Sequence, residues 1–278
     1  MCRLLGWAGA EPVPVATALG DDDLAAFTAL SRQHADGWGM AWWGADAARR
    51  EGAPSVARST TCAADDPRFN ELATGVAADA GFAHLRWATP GLPVVTANTH
   101  PFTHGRLAFA HNGAIHPQPR LDELLPAGWR SQMGGTTDSE RYFLAIAARL
   151  DGGESPVEAV AAVVHHIFGE FEPTSLNAMM LAPDALYVIS AYDQARVPPL
   201  GASAGRASSS GELDTVFYDL HYRRRVASVV VASSGFSQRR EDGWEPLGNM
   251  RLLRIERDTL STSVSSLEKR PAIIGESS

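Results

Sequence analysis

The stretch MCRLLG, residues 1–6, opens the chain and places a cysteine directly behind the initiator methionine. Because the side chain of Cys2 is small, we expect Met1 to be removed, which leaves a thiol and a free α-amino group on one residue. A terminal amine has a pKa of about 8 and a cysteine thiol one of about 8.5, so near neutral pH part of the amine can accept the thiol proton. The pattern therefore predicts a nucleophile that carries its own base. The alternative is that Cys2 is only a small apolar residue that opens an edge strand.

The composition is that of a globular protein with a sizeable core. Of the 278 residues 45% are apolar, which suits one large domain or two small ones. The formal net charge of −8 argues against nucleic acid or an anionic membrane surface as the main partner. The one compact basic run, residues 223–225, is interpreted as a solvated strand start or turn. With no apolar run of about 18 residues and no signal sequence, we expect a cytoplasmic protein.

The cysteines and histidines do not form a recognisable metal or disulfide pattern. Cys2 and Cys62 are the only cysteines and show no CxxC spacing, so Cys62 is interpreted as an incidental free thiol in a reducing compartment. Histidines are dense enough between residues 84 and 116 to raise the alternative of a metal site. None of them forms a helical i, i+4 pair that is free of proline or turn residues, so we expect no metal.

Runs of strand and helix character follow each other in a way that favours an α+β layered domain over alternating βαβ units. Helix starts are indicated by the capping-box spacings Thr137/Glu140 and Ser155/Glu158. Further helices are predicted near 21–30 and 69–76. Strands are predicted near 2–8, 40–43, 56, 81–87, 107–110, 176–181, 185–190, 213–220, 226–232 and 250–255. We expect one domain over residues 2–260, a mobile surface loop at about 200–211 and a flexible tail over 261–278.

Polar residues stand where three of these elements end or begin. Arg86 follows a strand, Asn112 and Gly113 follow another, and Asp138 lies in the first turn of a helix. Each alone has an ordinary structural interpretation, respectively as a salt-bridged arginine, a hairpin turn and a first-turn acidic residue. Their joint order behind an N-terminal cysteine is what points to chemistry.

That order, Cys2 followed by RWAT at 86–89, HNG at 111–113 and TDSE at 137–140, resembles the class II glutamine amidotransferase domain. The resemblance covers residues 2 to about 255, and DGWG at 36–39 and NTHPF at 98–102 are similar to stand-alone members such as the ergothioneine-pathway γ-glutamyl hydrolase. It implies an N-terminal-nucleophile hydrolase with a four-layer αββα fold.

The resemblance also implies catalytic roles. Cys2 would attack the δ-carbonyl of a γ-glutamyl amide, and the Asn112 side-chain amide and the Gly113 N–H would stabilise the oxyanion. Donors aimed in this way contribute about 3 to 4 kcal/mol in acyl transfer. The product would be a γ-glutamyl thioester that water hydrolyses to glutamate, and no cofactor is implied.

Substrate binding is implied for four further residues. Arg86 would hold the α-carboxylate bidentately, Thr89 would add a hydroxyl donor, and Asp138 would hold the α-ammonium group. Trp87 would wall the pocket, although an ordinary core tryptophan fits the sequence as well.

Two departures from the synthase members leave the function open. Pro90 stands where those enzymes have a histidine, and the chain has no length for a second domain that consumes ammonia. Three hypotheses follow: a hydrolase of glutamine or of a small γ-glutamyl conjugate, a glutaminase subunit that supplies ammonia to a separate synthase, and a non-catalytic γ-glutamyl binding module.

Overall fold

Two antiparallel sheets stacked face to face form the centre of the protein. The computed structural model describes residues 2–44, 52–89, 91–197 and 217–268. Within these ranges the first sheet has the order β13-β11-β12-β1-β4-β2-β3 and the second the order β15-β14-β10-β9-β6-β5. The strands are β1 (Arg3–Val13), β2 (Trp38–Gly44), β3 (Ser55–Ser59), β4 (Ala78–Leu85), β5 (Phe102–His104), β6 (Leu107–Asn112), β7 (Ile115–His116), β8 (Glu172–Pro173), β9 (Asn177–Leu181), β10 (Ala185–Ser190), β11 (Leu220–Arg224), β12 (Ser228–Ser233), β13 (Trp244–Pro246), β14 (Arg251–Glu256) and β15 (Thr262–Ser266).

Helices cover the outer face of each sheet. They are α1 (Val15–Leu19), α2 (Asp21–Ala29), α3 (Pro67–Gly75), α4 (Asp138–Asp151) and α5 (Pro156–Glu170). The first three share an apolar cluster with the first sheet, and the last two share one with the second sheet. A third cluster fills the space between the sheets. The expected four-layer αββα, α+β architecture is therefore confirmed.

Strands that lie between two apolar layers are buried on both faces. Along β1, Leu4 packs between the sheets while Leu5 and Trp7 face the helices, because successive side chains point to opposite faces. This explains why β1 reads in the sequence as a continuous apolar run. Among the described residues, no helix has the length and apolar character needed to cross a membrane.

The two predicted capping boxes differ in the structure. Ser155 and Glu158 form the complete reciprocal box at the start of α5. At α4, Thr137 accepts the Glu140 N–H at 3.1 Å, but the Glu140 carboxylate turns to the N–H groups of Gly134 (2.7 Å) and Gly135 (2.8 Å). Glu140 therefore fixes the loop before α4 instead of completing the box.

Two expectations from the sequence are wrong. Arg223, interpreted as part of a solvated basic run, is buried over the Trp244 ring (4.7 Å) and paired with Asp23 at 3.1 Å. The stretch expected to be a tail from residue 261 contains β15, which pairs with β14, and Leu267 is fully buried. The expected mobile loop at 200–211 and residues 269–278 lie outside the described residues, as does the first half, 213–216, of the strand predicted at 213–220.

Two histidine rings lie against each other at one end of the inter-sheet space. His84 of β4 and His100 have ring centroids 4.2 Å apart and are 0% and 5% exposed. None of their four ring nitrogens has a hydrogen-bond partner in the described chain. Burial, and next the charge of Arg86, lower the pKa of His84 to about 3. Burial also holds the pKa of His100 well below its usual range, so both rings are neutral at pH 7.

Gly39 lets the backbone of residues 100–101 reach the first sheet. A Cβ atom at Gly39 would lie 1.9 Å from the His100 carbonyl oxygen and 2.8 Å from Cδ of Pro101. We expect Gly39→Ala to lower the free energy of unfolding by about 1–3 kcal/mol, because rigid backbone would have to move. Gly169→Ala in α5, where a Cβ meets nothing within 4 Å, should leave stability unchanged or raise it by up to about 1 kcal/mol. Urea unfolding checks both, and equal effects would contradict the close approach.

Stability should also fall with acid because of the histidine pair. Above the unfolded-state pKa of about 6.5 neither state binds these protons. As the pH falls from 6.5 toward 3, the unfolded chain binds them and the folded chain does not, at a cost of about 2 kcal/mol per ring at pH 5. Compared with the wild type, His84→Gln should reduce this pH slope by about 1 kcal/mol per pH unit. Identical slopes in urea unfolding between pH 5 and 7.5 would refute this origin.

Candidate active site

Cys2 is fixed by the pairing of β1 with the end of β4. The antiparallel register sets Arg3 against Leu85, so Cys2 stands opposite Arg86. Leu4 and Phe82 of these strands point between the sheets, and alternation places Cys2 and Arg86 on the same face. The Cys2 Sγ accepts the Trp87 N–H at 3.3 Å and is 8% exposed as a residue. The alternative of an edge strand is excluded, since β1 lies between β12 and β4.

Opposing influences act on the Cys2 thiol. Burial raises its pKa, because the thiolate loses water on entering the protein. The Trp87 N–H and the charges of Arg86 and Arg3 act in the other direction. The sulfur therefore lies where a thiolate, once formed, meets one hydrogen-bond donor and two cations.

Arg86 brings a buried positive charge without a carboxylate partner. Arg86 is 3% exposed, and its backbone N–H donates to the Gly37 carbonyl oxygen at 2.8 Å. The guanidinium donates only to carbonyl oxygens, those of Asp36 (3.5 Å) and Pro93 (3.2 Å). Burial lowers its pKa, and the charges of Cys2 and Asp36 oppose that shift. Within the described ranges it forms no ion pair, which leaves the charge available to a bound carboxylate.

The two residues that follow in the RWAT run are more open. Trp87 is 39% exposed with its ring 5.5 Å from that of His34, so the interpretation as a core tryptophan is wrong and the one as a pocket wall stays a prediction. Thr89 is half-buried, and its carbonyl accepts the Leu92 N–H at 3.0 Å. Pro90 lies outside the described residues.

Asn112 ends β6 with an amide that has no partner. The residue is 1% exposed, and neither its Nδ2 nor its Oδ1 makes a hydrogen bond within the described chain. Its cross-strand neighbour Asn177 uses both ends, donating to the Tyr218 carbonyl at 2.6 Å and accepting the Ala191 N–H at 2.9 Å. Buried amides are normally satisfied, so the unpartnered amide of Asn112 is a candidate for binding a ligand.

Gly113 follows in a position that only glycine can fill. A Cβ atom there would lie 1.9 Å from the Ser175 carbonyl oxygen. Ala108 and Ala110 of β6 face the inter-sheet cluster, so alternation turns Asn112 toward the same space as Cys2 and Arg86.

Asp138 begins α4 and is held in place by backbone. Its Oδ2 accepts the Ile115 N–H at 2.9 Å, and the residue is 2% exposed. Beside it, His111 of β6 contacts the Ser139 hydroxyl through Nδ1 (2.9 Å) and the Ser175 carbonyl through Nε2 (2.8 Å). A carbonyl only accepts, so Nε2 carries the hydrogen and Nδ1 accepts from Ser139. His111 therefore joins the end of β6 to the start of α4.

Charge effects link the two halves of the site. The charge of Arg86 lowers the pKa of His84 after burial does, and His111 acts on the same ring. Tyr218, whose carbonyl binds Asn177, has its phenol pKa raised by burial, an effect that Arg3 opposes and Cys2 reinforces. The Arg3 guanidinium lies 4.2 Å from the ring of Phe217, next to Tyr218, and Asn177 opposite Asn112 binds the Tyr218 carbonyl. Cys2 on one sheet and Asn112 on the other therefore lie at the same end of the inter-sheet space.

Several residues of the site were not predicted from the sequence. Asp36 accepts the Ala88 N–H at 2.7 Å and fixes the end of β4, and Asn98 accepts the Thr136 N–H at 2.9 Å next to α4. Both lie in the DGWG and NTHPF segments, which were a signal for them. Nothing in the sequence marked Tyr218 as part of the site, and Arg3 was marked only by its position next to Cys2. Among the described residues, no three His, Cys, Asp or Glu side chains are grouped so as to hold a metal ion.

Comparisons with known proteins agree with this arrangement. A family model for class-II glutamine amidotransferases matches residues 1–265. The glutamine–fructose-6-phosphate aminotransferase of Brucella suis is 41% identical over 91 residues, which are 33% of this chain and 15% of that enzyme. The chain thus spans a small part of the curated aminotransferases it matches. The γ-glutamyl-hercynylcysteine sulfoxide hydrolase of Mycobacterium tuberculosis is 26% identical over 280 residues, 98% of this chain and 100% of that one.

A solved structure supports the fold. The glutamine aminotransferase class-II domain protein of Silicibacter pomeroyi superposes with a TM-score of 0.60 at 20% identity, over 95% of this chain and 99% of that chain. At this identity the likeness concerns the fold alone, and it agrees with the layered α+β architecture described above. With the family model matching nearly the whole length, the chain belongs to the class-II glutamine amidotransferases.

Proposed function

We propose that this protein hydrolyses the γ-glutamyl amide bond of glutamine or of a small γ-glutamyl conjugate, with Cys2 as the nucleophile and glutamate as a product. One observation carries the proposal above all: the buried Asn112 amide has no partner in the described chain and lies at the same end of the sheets as the Cys2 thiol. An idle buried amide costs free energy on folding unless a ligand uses it. An oxyanion formed by attack of a nearby sulfur is such a ligand.

The reaction begins with Cys2 freed of Met1. The α-amine accepts the thiol proton, and Sγ attacks the δ-carbonyl carbon of the substrate. Asn112 Nδ2 and the Gly113 N–H donate to the resulting oxyanion. The leaving amine departs with the proton and a thioester remains, which water hydrolyses with the same amine as base.

Two buried charged residues, Arg86 and Asp138, recognise the substrate. Arg86 binds the α-carboxylate, since its guanidinium is charged, buried and without a carboxylate in the described chain. Asp138 binds the α-ammonium group, with one carboxylate oxygen already fixed by the Ile115 N–H. Thr89 adds a hydroxyl donor and the exposed Trp87 ring walls the mouth of the pocket.

A small γ-glutamyl conjugate is favoured over a role as an ammonia-supplying subunit. The alignment with the γ-glutamyl-hercynylcysteine sulfoxide hydrolase covers 98% of this chain and the whole of that protein. The alignment with the Brucella suis aminotransferase covers only 15% of that enzyme. We place the reaction in the cytoplasm, where a reducing environment keeps both cysteines as thiols.

The two cysteines provide a matched test of the nucleophile. We expect Cys2→Ala to lower hydrolysis of glutamine and of a panel of γ-glutamyl amides by at least about 10³-fold, because no thioester can form. Cys62→Ala should keep the wild-type rate, since Cys62 contacts Ser31 at 3.2 Å and belongs to another part of the fold. Glutamate release, measured by a coupled assay, checks both. Full activity of Cys2→Ala would end the proposal.

Asn112 should affect the chemical step and not binding. Asn112→Ala is expected to lower kcat by about 10²- to 10³-fold with little change in KM, because the donor acts on the oxyanion and not on the ground-state carbonyl. Asn70→Ala on the exposed side of α3 is the control and should match wild type. A large rise in KM at unchanged kcat would show that Asn112 only binds substrate.

A further inference from the structure

Four arginines are buried in the described chain, and they differ in what neutralises them. They are Arg3, Arg86, Arg223 and Arg257. Arg223 pairs with Asp23 at 3.1 Å, and Arg257 pairs with Asp79 through two bonds of 2.9 and 3.1 Å. The two arginines next to Cys2 have no carboxylate partner among the described residues. The substrate carboxylate accounts for Arg86, but nothing in the proposed reaction accounts for Arg3.

Arg3 lies in a closed apolar and aromatic environment. The residue is 6% exposed, its guanidinium lies 4.2 Å from the centroid of the Phe217 ring, and its Nε has no hydrogen-bond partner in the described chain. Burial lowers its pKa to about 10, so it still carries its charge at neutral pH. A buried cation with an idle donor is unfavourable unless its charge serves another group.

The group closest to this charge is the backbone of the nucleophile. Nη1 of Arg3 donates to the Cys2 carbonyl oxygen at 3.4 Å. Within one residue the amine nitrogen and the carbonyl oxygen are about 3 Å apart, so the charge is within about 7 Å of the Cys2 nitrogen. Adjacent side chains point to opposite faces of a strand, so Arg3 acts on Cys2 through its backbone and through space.

The other titratable or charged groups that face Cys2 do not neutralise Arg3. Arg86 at the end of β4 is itself a cation. Tyr218, in the segment before β11, has its pKa raised by burial and is neutral near pH 7. The Asp36 carboxylate acts on Arg86 and accepts the Ala88 N–H at 2.7 Å, and no carboxylate forms an ion pair with Arg3 among the described residues.

We propose that Arg3 is a positioning residue that holds the Cys2 carbonyl and whose uncompensated charge favours the neutral α-amine and the thiolate of Cys2 at physiological pH. This inference rests on the proposed function, because it concerns the same nucleophile. A positive charge disfavours the ammonium form of the amine and favours the anionic form of the thiol, so both effects increase the reactive state. No atom of Arg3 contacts the substrate in this role.

The experiment compares Arg3→Gln, which removes the charge, with Arg3→Lys, which keeps it. The rate of Cys2 alkylation by iodoacetamide and kcat/KM for glutamine are each measured from pH 5.5 to 9.5. For Arg3→Gln we expect the acidic limbs of both pH profiles, for alkylation and for kcat/KM, to move up by about 0.5–1 pH unit. We also expect kcat/KM at pH 7 to fall about 3- to 10-fold. For Arg3→Lys both limbs should stay within about 0.3 pH unit of wild type.

Arg224→Gln is the charge control. Arg224 is exposed on β11 and level with Ala8 along β1, five residues from Arg3, so its loss should leave both limbs unmoved. If both Arg3 variants lose stability without moving either limb, Arg3 is only structural and the inference is overturned. Alkylation of Cys2 that leaves hydrolysis intact would instead overturn the proposed function.

A measurement on the wild type covers the case in which Arg3→Gln does not fold. The ¹⁵N-labelled protein is titrated by NMR, and the Nε–H resonance of Arg3 should shift with the same midpoint as Cys2 alkylation. The Arg257 resonance, held by Asp79, should not shift with that midpoint. An Arg3 resonance that stays constant between pH 6 and 9 would refute the coupling.

Discussion

The antiparallel pairing of β1 with β4 is the constraint on which the site depends. It sets the first residues of the chain against the end of a central strand, and so places Cys2 opposite Arg86. A shift of one residue in this register would turn Cys2 to the helix side of the sheet and away from Arg86. The register is well determined, because both strands are buried on both faces and neither can slide without moving apolar side chains between layers.

Several buried side chains at the site leave polar atoms without hydrogen-bond partners in the described chain. The side-chain amide of Asn177 makes hydrogen bonds through both Nδ2 and Oδ1, whereas the amide of Asn112, directly opposite, makes none in the described chain. Arg223 and Arg257 have carboxylates, whereas Arg3 and Arg86 have carbonyl oxygens only. Such groups cost free energy in the free protein, and their concentration around one sulfur is the arrangement expected where charge develops during a reaction.

Much of this could be predicted because it depends on local sequence. Strand ends and the Ser155 cap can be predicted from residue type and spacing, whereas the order of Cys2, Arg86, Asn112 and Asp138 was informative through its resemblance to a known family. What could not be predicted depends on contacts between distant segments. Arg223 is buried only because Asp23 and Trp244 come to it, and Glu140 leaves its capping box only because the Gly134 and Gly135 N–H groups compete for it.

The same reason explains the end of the chain and the role of Arg3. Residues 262–266 are polar and carry little strand signal of their own, but β14 offers an edge that orders them. Arg3 resembles any strand arginine until the absence of a carboxylate around it in the described chain is known. The sequence therefore predicts where strands and helices begin and end more reliably than it predicts which buried charges lack a partner.

The most direct test of the central claim is the mass of the intact protein after reaction with a γ-glutamyl diazo-ketone, an analogue that alkylates a nucleophile bound beside the γ-carbonyl site. The account predicts a chain that lacks Met1 and carries one adduct, located on Cys2 by peptide mapping and prevented by excess glutamine. A fully active chain that retains Met1, or an adduct on another residue, would contradict it.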